Sequence, residues 1–429
     1  MQSLIINGLH LAGAIGGFLV IYRLAGSAQM SRFMWPFTLL WGAVMAAFIF
    51  LVTQPTLEFI FWDFRYCYWL AGNLIWQGPP ALMSSYDDVL FVNIPIVAYL
   101  FAPFGLLPPL AASIVFTLLG LAAAWAIWRL LVQMFALDPR ESALLCFALC
   151  VYGPLIYVLK VGNTSHFMLL LLLGGLMMAR SGKDVSAGVL FGIAAVIKPS
   201  LLLIGVLYFL RGRWLVVAGG AAVVISSLTL SLLIFGWDMH VYWYETTIQP
   251  FTSNPVLASA NQAVGGMVAR FESGGTDWQD FSPYILSPVS KLIAQGLTLT
   301  IIAGMLYAVW RSGRIFRLSN QDMELEVLMI LALGLSVSAL SWAHYHIWAL
   351  PALVLLWARS RPGGPLARLR WPLIATYALL AGAVFVSHSM TLGRFGPVSN
   401  FIVSHWLWGA LATLILLAIV RAQRTPPAG

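Results

Sequence analysis

GVLFGIAAVIKPSLLLIGVLYFL, residues 188–210, decides how the chain is read. The run carries one charge, Lys198, followed at once by Pro199. One full crossing of a bilayer takes about 20 apolar residues, so this run is too short to cross twice at full thickness. It is read as a short re-entering pair over 186–210, two half-length or tilted helices that meet near Lys198. A lysine at that depth is costly in hydrocarbon and should face a cavity or an anionic partner.

Outward from this stretch the chain keeps the same character. Its 429 residues are 61% hydrophobic, with 23 basic and 15 acidic side chains and a mean hydropathy of +0.89. So little charge cannot clothe a water-facing surface, which excludes a soluble protein. Further spans are expected near 4–22, 33–53, 95–129 (one long or broken span), 142–159, 166–179, 213–235, 288–310, 325–342, 346–358, 371–388 and 404–420. Together these describe an all-α, polytopic integral membrane protein of about 12–13 transmembrane helices, a single domain over 1–429. The net charge of +8 does not point to nucleic acid, because the basic residues come in small groups between apolar runs. Cys67, Cys146 and Cys150 are too few for a disulfide framework and read as packing residues. The first run lacks a basic leader and a small-residue cleavage site, so it reads as a retained anchor.

The basic residues orient the bundle. Arg23, Arg32, Arg129, Arg140, Arg180, Lys183, Arg211, Arg213, Arg311, Arg314, Arg317, Arg359, Arg361, Arg368, Arg370, Arg421 and Arg424 all fall on alternate linkers, 17 of the 23. That face is expected to be cytoplasmic, with the N-terminus outside and the C-terminus inside. The other face then carries two long loops, 54–94 and 236–287, and a shorter one around 389–403. Arg65, Lys160, Lys198, Arg270, Lys291 and Arg394 are left over; Lys160 and Lys291 flank spans and read as snorkelling side chains. Acidic residues are expected in the outer loops rather than in the spans, a distribution that argues against an ion-coupled transporter.

The first outer loop opens Glu58-Phe-Ile-Phe-Trp-Asp63-Phe-Arg65-Tyr-Cys-Tyr68-Trp-Leu-Ala71 and reads as an amphipathic surface helix ending at Gly78. A carboxylate among so many aromatics at the lipid boundary is partly desolvated, which raises its pKa and suits it to act as a general base. On spacing alone Asp63 serves equally as a helix cap. Asp87-Asp88 offers adjacent carboxylates, a pattern that usually marks a solvated turn. His344-Tyr-His346 holds two imidazoles without a third ligand, which favours hydrogen bonding to phosphate or sugar over metal. In the second loop Asn261-Gln262 precede Arg270, an arginine suited to phosphate.

Taken together, Asp63 with Phe64, Tyr66, Tyr68 and Ala71, then Gly78, Tyr86, Pro95 and Phe101-Ala-Pro103-Phe-Gly-Leu-Leu-Pro108 resemble the start of glycosyltransferase family 87 in the GT-C superfamily. The resemblance runs on through Gly162-Asn163, the Lys198-Pro199 segment, Asn261 to Arg270 and Ser341-Trp342-Ala-His344. It implies transfer of a sugar, often mannose, from a polyprenyl-phosphate donor to an acceptor hydroxyl of a lipid or glycan. The site would lie on the extracytoplasmic face of a bacterial inner membrane. It further implies inversion, no cofactor and no metal, with Asp63 as base and Glu58 in reserve. Lys198, Arg270, His344 and Arg65 would meet the donor phosphate, and Glu58, Tyr68, Asn163, Asn261, Gln262, Trp342 and His346 the acceptor or sugar. Asn163 stands where the family often has Gln, and Asn93-Ile94-Pro95 where it often has Tyr-Pro-Pro. The rival readings are an oligosaccharide ligase, a diphosphate-donor transferase, and a transporter or flippase of a lipid-linked or sugar substrate.

Overall fold

The computed structural model describes residues 2–27, 29–52, 60–87, 91–274, 280–312, 318–382 and 397–423. It is helical throughout; among the described residues the β contacts are two isolated bridges, Val256 with Pro283 and Asn261 with Trp342. The principal helices are α1 (Gln2–Ala25), α2 (Met34–Val52), α3 (Pro109–Met134), α4 (Pro139–Cys150), α5 (Gly153–Val161), α6 (Ser165–Arg180), α7 (Asp184–Ile197) and α8 (Leu202–Leu210). They continue with α9 (Trp214–Trp243), α10 (Val264–Glu272), α11 (Pro288–Arg311), α12 (Asn320–Val337), α13 (Leu350–Arg359), α14 (Arg370–Ala381) and α15 (His405–Ala422).

Among the described residues six helical segments are long and apolar enough to cross a bilayer: Gly8–Ala25, Ser31–Val52, Pro109–Met134, Trp214–Ser253, Pro288–Arg311 and His405–Ala422. The pair α4–α5, bent by 50°, makes a seventh if counted as one span. Four shorter apolar helices accompany them, Pro95–Gly105, Ser165–Arg180, Asp184–Ile197 and Pro199–Leu210, and the chain is an all-α polytopic membrane protein as expected. An apolar run buried against protein has the same hydropathy as one facing lipid, and the helices here divide between the two. Helices α6, α7, α12 and α13 bury much of their surface in the protein, whereas α9 and α11 present rows of exposed leucines. At 14 residues, α7 extends about 21 Å, short of a hydrocarbon core of about 30 Å. The 95–129 run breaks at Leu106–Pro108 into Ala98–Gly105 and α3.

The 188–210 stretch forms two short helices, α7 and the nine-residue α8, with Lys198 at the turn between them. Gly188 lets α7 lie directly on α9, because a Cβ there would collide with the Val216 carbonyl. The first outer loop is continuously helical from Asp63 to Gln77, in π, α and 3-10 turns, and stops at Gly78, whose φ is +98°. Helices α1, α2 and α4 form a side core around Ile21, Met45, Ile49 and Phe147.

Two expectations about charge need correction. Acids do enter the helical interior: Glu324 and Glu326 of α12 are buried, and Glu326 falls inside the predicted span 325–342. They join arginines of the face expected to be cytoplasmic, in the pairs Arg180–Glu324 at 2.5 Å, Arg211–Glu326 at 2.8 Å and Arg421–Glu326 at 2.8 Å. Arg213–Asp184 and Arg361–Glu141 add further pairs at 2.6 and 2.5 Å. Lys160, expected to snorkel, is instead fully buried, with its Nζ 5.4 Å from the centre of the Phe50 ring. Lys291 is exposed.

Candidate active site

Helices α6 and α7 each carry an arginine-bonded acid or an arginine at one end, Arg180 and Asp184, and a site residue at the other. At that second end four segments converge: the start of the first outer loop, the α5–α6 junction, the α7–α8 turn and the 3-10 segment Ala343–Ala349.

The loop is held first through its backbone. Phe61 adopts φ +60° and donates its N–H to the Lys160 carbonyl at the end of α5 (2.8 Å). Gly162 then turns the chain through the left-handed region (φ +73°), and a Cβ there would meet the Phe64 Cβ at 2.5 Å. Only glycine allows both the turn and that approach. The next residue, Asn163, is thereby aimed at the loop, and its Nδ2 donates to Asp63 Oδ2 at 2.7 Å.

Asp63 itself stays partly exposed while Phe64 and Tyr68 of the same turn are buried. Desolvation is the largest influence on its carboxyl and raises the pKa; the Asn163 hydrogen bond and the Lys198 charge pull it back in part. Lys198 caps α7 and is 5% exposed, with Nζ 4.9 Å from the centre of the Tyr345 ring. Tyr345 stacks on Trp348, whose indole N–H bonds the Ser165 carbonyl (3.0 Å). The α7–α8 turn is tied in place by Asn93, which donates to the Ile197 carbonyl at 2.6 Å and accepts at its own carbonyl from Tyr86 (3.0 Å). His344 lies flat against Tyr157 and edge-on to Tyr345, feels the Lys198 charge, and leaves its buried Nε2 without a partner.

The structure thus brings together Asp63, Asn163, Lys198, His344 and Tyr68. Tyr68 is buried, stacks on Phe101, and shares its hydroxyl with Asn163 and Thr164, both at 3.3 Å. Arg65 is exposed on the surface of the same turn. Glu58 and Asp88 lie outside the described residues, and Asp87 accepts a hydrogen bond from Tyr242.

Four second-loop and neighbouring residues expected at phosphate or sugar are given another task. Arg270 is fully buried, donating from one nitrogen to the carbonyls of Leu257, Ala258 and Asn261 and from another to Ser404 Oγ. Asn261 accepts from the backbone of Ser341 and Ala263 and donates to Val256, while Gln262 bonds Ser259, Val403 and Leu407. His346 is buried, with Nδ1 on the Trp342 carbonyl and its ring on Trp406. Their polar atoms are largely committed to clasping 256–270 against 341–346 and the start of α15. Trp342, partly buried, pairs with Asn261 through the backbone and faces Phe281. Sequence reasoning gave no role to Tyr157, Tyr345, Trp348 or Ser165.

A helical membrane-embedded bundle that holds a desolvated carboxylate beside a buried lysine has the parts of a transferase site in which one group takes a proton and another meets an anionic leaving group. The chain belongs to glycosyltransferase family 87, whose sequence profile it matches over residues 91–331, and it is an integral membrane glycosyltransferase. A similar protein from Mycolicibacterium smegmatis (strain ATCC 700084 / mc(2)155) is a polyprenol-phosphate-mannose-dependent alpha-(1-2)-phosphatidylinositol pentamannoside mannosyltransferase. It is 28% identical over 323 residues, 73% of this chain and 72% of that protein. Another, from Mycobacterium tuberculosis (strain ATCC 25618 / H37Rv), is a polyprenol-phosphate-mannose-dependent alpha-(1-2)-phosphatidylinositol mannoside mannosyltransferase. It is 23% identical over 396 residues, 83% of each chain. No solved structure matches this chain.

Proposed function

We propose that this enzyme transfers mannose from a polyprenyl-phosphate donor to a hydroxyl of a lipid-borne glycan at the outer face of the membrane, without a metal ion. The observation that carries the reading is the Asp63 carboxylate, bonded by Asn163 and within the field of Lys198. The donor and acceptor classes rest on the names of the relatives. In the reaction the acceptor oxygen forms a bond to the anomeric carbon as the bond from that carbon to the phosphate oxygen breaks. Asp63 takes the acceptor's proton, and polyprenyl phosphate leaves with the bonding pair. A single displacement of this kind inverts the anomeric centre. Lys198 meets the charge growing on the phosphate, and His344, whose Nε2 has no protein partner, donates a hydrogen bond to it. The arginine-bearing end, at Arg180, Arg211 and Arg421, faces the cytoplasm in this reading.

The test is transfer in nanodiscs, with EDTA present, from synthetic polyprenyl-phosphate mannose and from a nucleotide-diphosphate mannose. Turnover from the lipid donor alone, undiminished by chelation and with inverted product, is expected; turnover only from the nucleotide donor with added metal would overturn the reading. Lys198→Met should lower kcat/KM for the lipid donor by about a hundredfold or more, the scale of losing one charge-stabilising donor in a dry site. Lys198→Arg should recover part of it. Equal donor kinetics for Lys198→Met and the parent would remove Lys198 from the phosphate.

A further inference from the structure

Asn163 has four hydrogen-bonding capacities, and all four are used. Its Oδ1 accepts from the backbone N–H of Ser165 at 3.1 Å and from Ser165 Oγ at 2.9 Å. Its Nδ2 gives one hydrogen to Asp63 Oδ2 at 2.7 Å and the other to the Tyr68 hydroxyl at 3.3 Å. An amide saturated in this way has one stable orientation. Flipping it would turn Oδ1 onto a carboxylate and the NH2 group onto the N–H of Ser165, setting acceptor against acceptor and donor against donor. The Asx turn that holds Oδ1 is itself fixed by the start of α6 and by the left-handed Gly162.

The effect on Asp63 is asymmetric. Oδ2 is held by Asn163, while among the described residues Oδ1 has no protein partner and is not enclosed. Resting on the assignment of Asp63 as base, we propose that Asn163 is a positioning residue. Its Ser165-locked amide pins Oδ2, so that Oδ1 is the atom that takes the acceptor's proton. Asn163 is 4% exposed and saturated, so it does not bind the sugar, the role expected for it from sequence. The other titratable groups around Asp63 are Cys67 and Tyr68 on its own turn, Tyr157 on α5, Lys198 at the α7–α8 turn and Tyr345 in Ala343–Ala349. Burial keeps the Cys67 thiol and the Tyr68 phenol neutral at working pH, so Asn163 and Lys198 are the two groups that favour the carboxylate.

The test compares the parent with Asn163→Ala and Asn163→Asp, reading kcat, donor KM and the pH dependence of kcat/KM. Asn163→Asp is isosteric and keeps an acceptor for Ser165, so the α6 start survives if Asn163→Ala fails to fold. Losing the donor to Oδ2 raises the pKa of Asp63, so the acid limb of kcat/KM moves to higher pH in both variants, further in Asn163→Asp, where a second carboxyl faces the first. kcat at neutral pH should fall by about tenfold to a hundredfold with donor KM little changed, the scale of a misplaced reacting group. A folded Asn163→Asp with the parent's kcat and an unmoved acid limb overturns the positioning role and leaves Asp63 as base. Parent-like activity in Asp63→Asn instead removes the base assignment and the positioning role together.

Discussion

Asp63→Asn should leave a folded protein whose transfer rate is lower by about a thousandfold or more, within the range a general base contributes. The substitution keeps the shape of the side chain, and an amide oxygen still accepts from Asn163 Nδ2, so the packing of Phe64 and Tyr68 is undisturbed. What is lost is the ability to accept the acceptor's proton. The same assignment fixes a pH dependence in the parent. Burial raises the Asp63 pKa from its ordinary value, and the base works only when ionised, so kcat/KM falls as pH drops through that raised value. Asp63→Asn should flatten this acid limb in whatever activity remains. Donor binding should persist in Asp63→Asn, because Lys198 and His344 are untouched. A folded variant with parent-like turnover would sink the assignment of Asp63; measuring binding and turnover on one preparation separates that result from a misfolded protein.

How much of this was legible differs residue by residue. Asp63 stands out in the sequence because it follows a span and sits among aromatics, and Lys198 because it is the single charge in 188–210. Both signals are local. Asn163 carries no such signal as a positioning group: its partner is 100 residues away, and its orientation depends on the left-handed Gly162 and on Ser165. The sequence points Arg270 at a phosphate, because an outer-side arginine suits one. Here the loop folds its own carbonyls around the guanidinium, a backbone arrangement that side-chain identities do not encode in any simple pattern. The acids of α12 are hidden from a hydropathy reading for a related reason. Hydropathy sums over neighbours in sequence, whereas Glu326 is compensated by Arg211, the C-cap of α8, and Arg421 of α15, both distant in the chain.

That cluster supplies the second large expected effect. Glu326 is 3% exposed, with Oε1 accepting from Arg421 Nε and an Arg421 terminal nitrogen and Oε2 from Arg211 Nε. Arg421 is fully buried. A buried ion pair gains little over a well-packed apolar pair, but removing one partner leaves a desolvated charge, at a cost of about 3–5 kcal/mol. Glu326→Ala strands two cations on one vacated site, so it should lower the thermal midpoint in nanodiscs by about 3–6 °C. Arg361→Ala is the contrast: its bond to Glu141 is 46% exposed on the arginine side, and pairs of that kind contribute at most about 1 kcal/mol. The network joins α6, α8, α12 and α15 at the end of the bundle away from Asp63, so transfer by Glu326→Ala, assayed well below its midpoint, should stay close to that of the parent. A midpoint shift no larger than that of Arg361→Ala would show that water reaches Arg421 and Glu326 freely. In that event, helix packing rather than buried charge would hold this end of the bundle together.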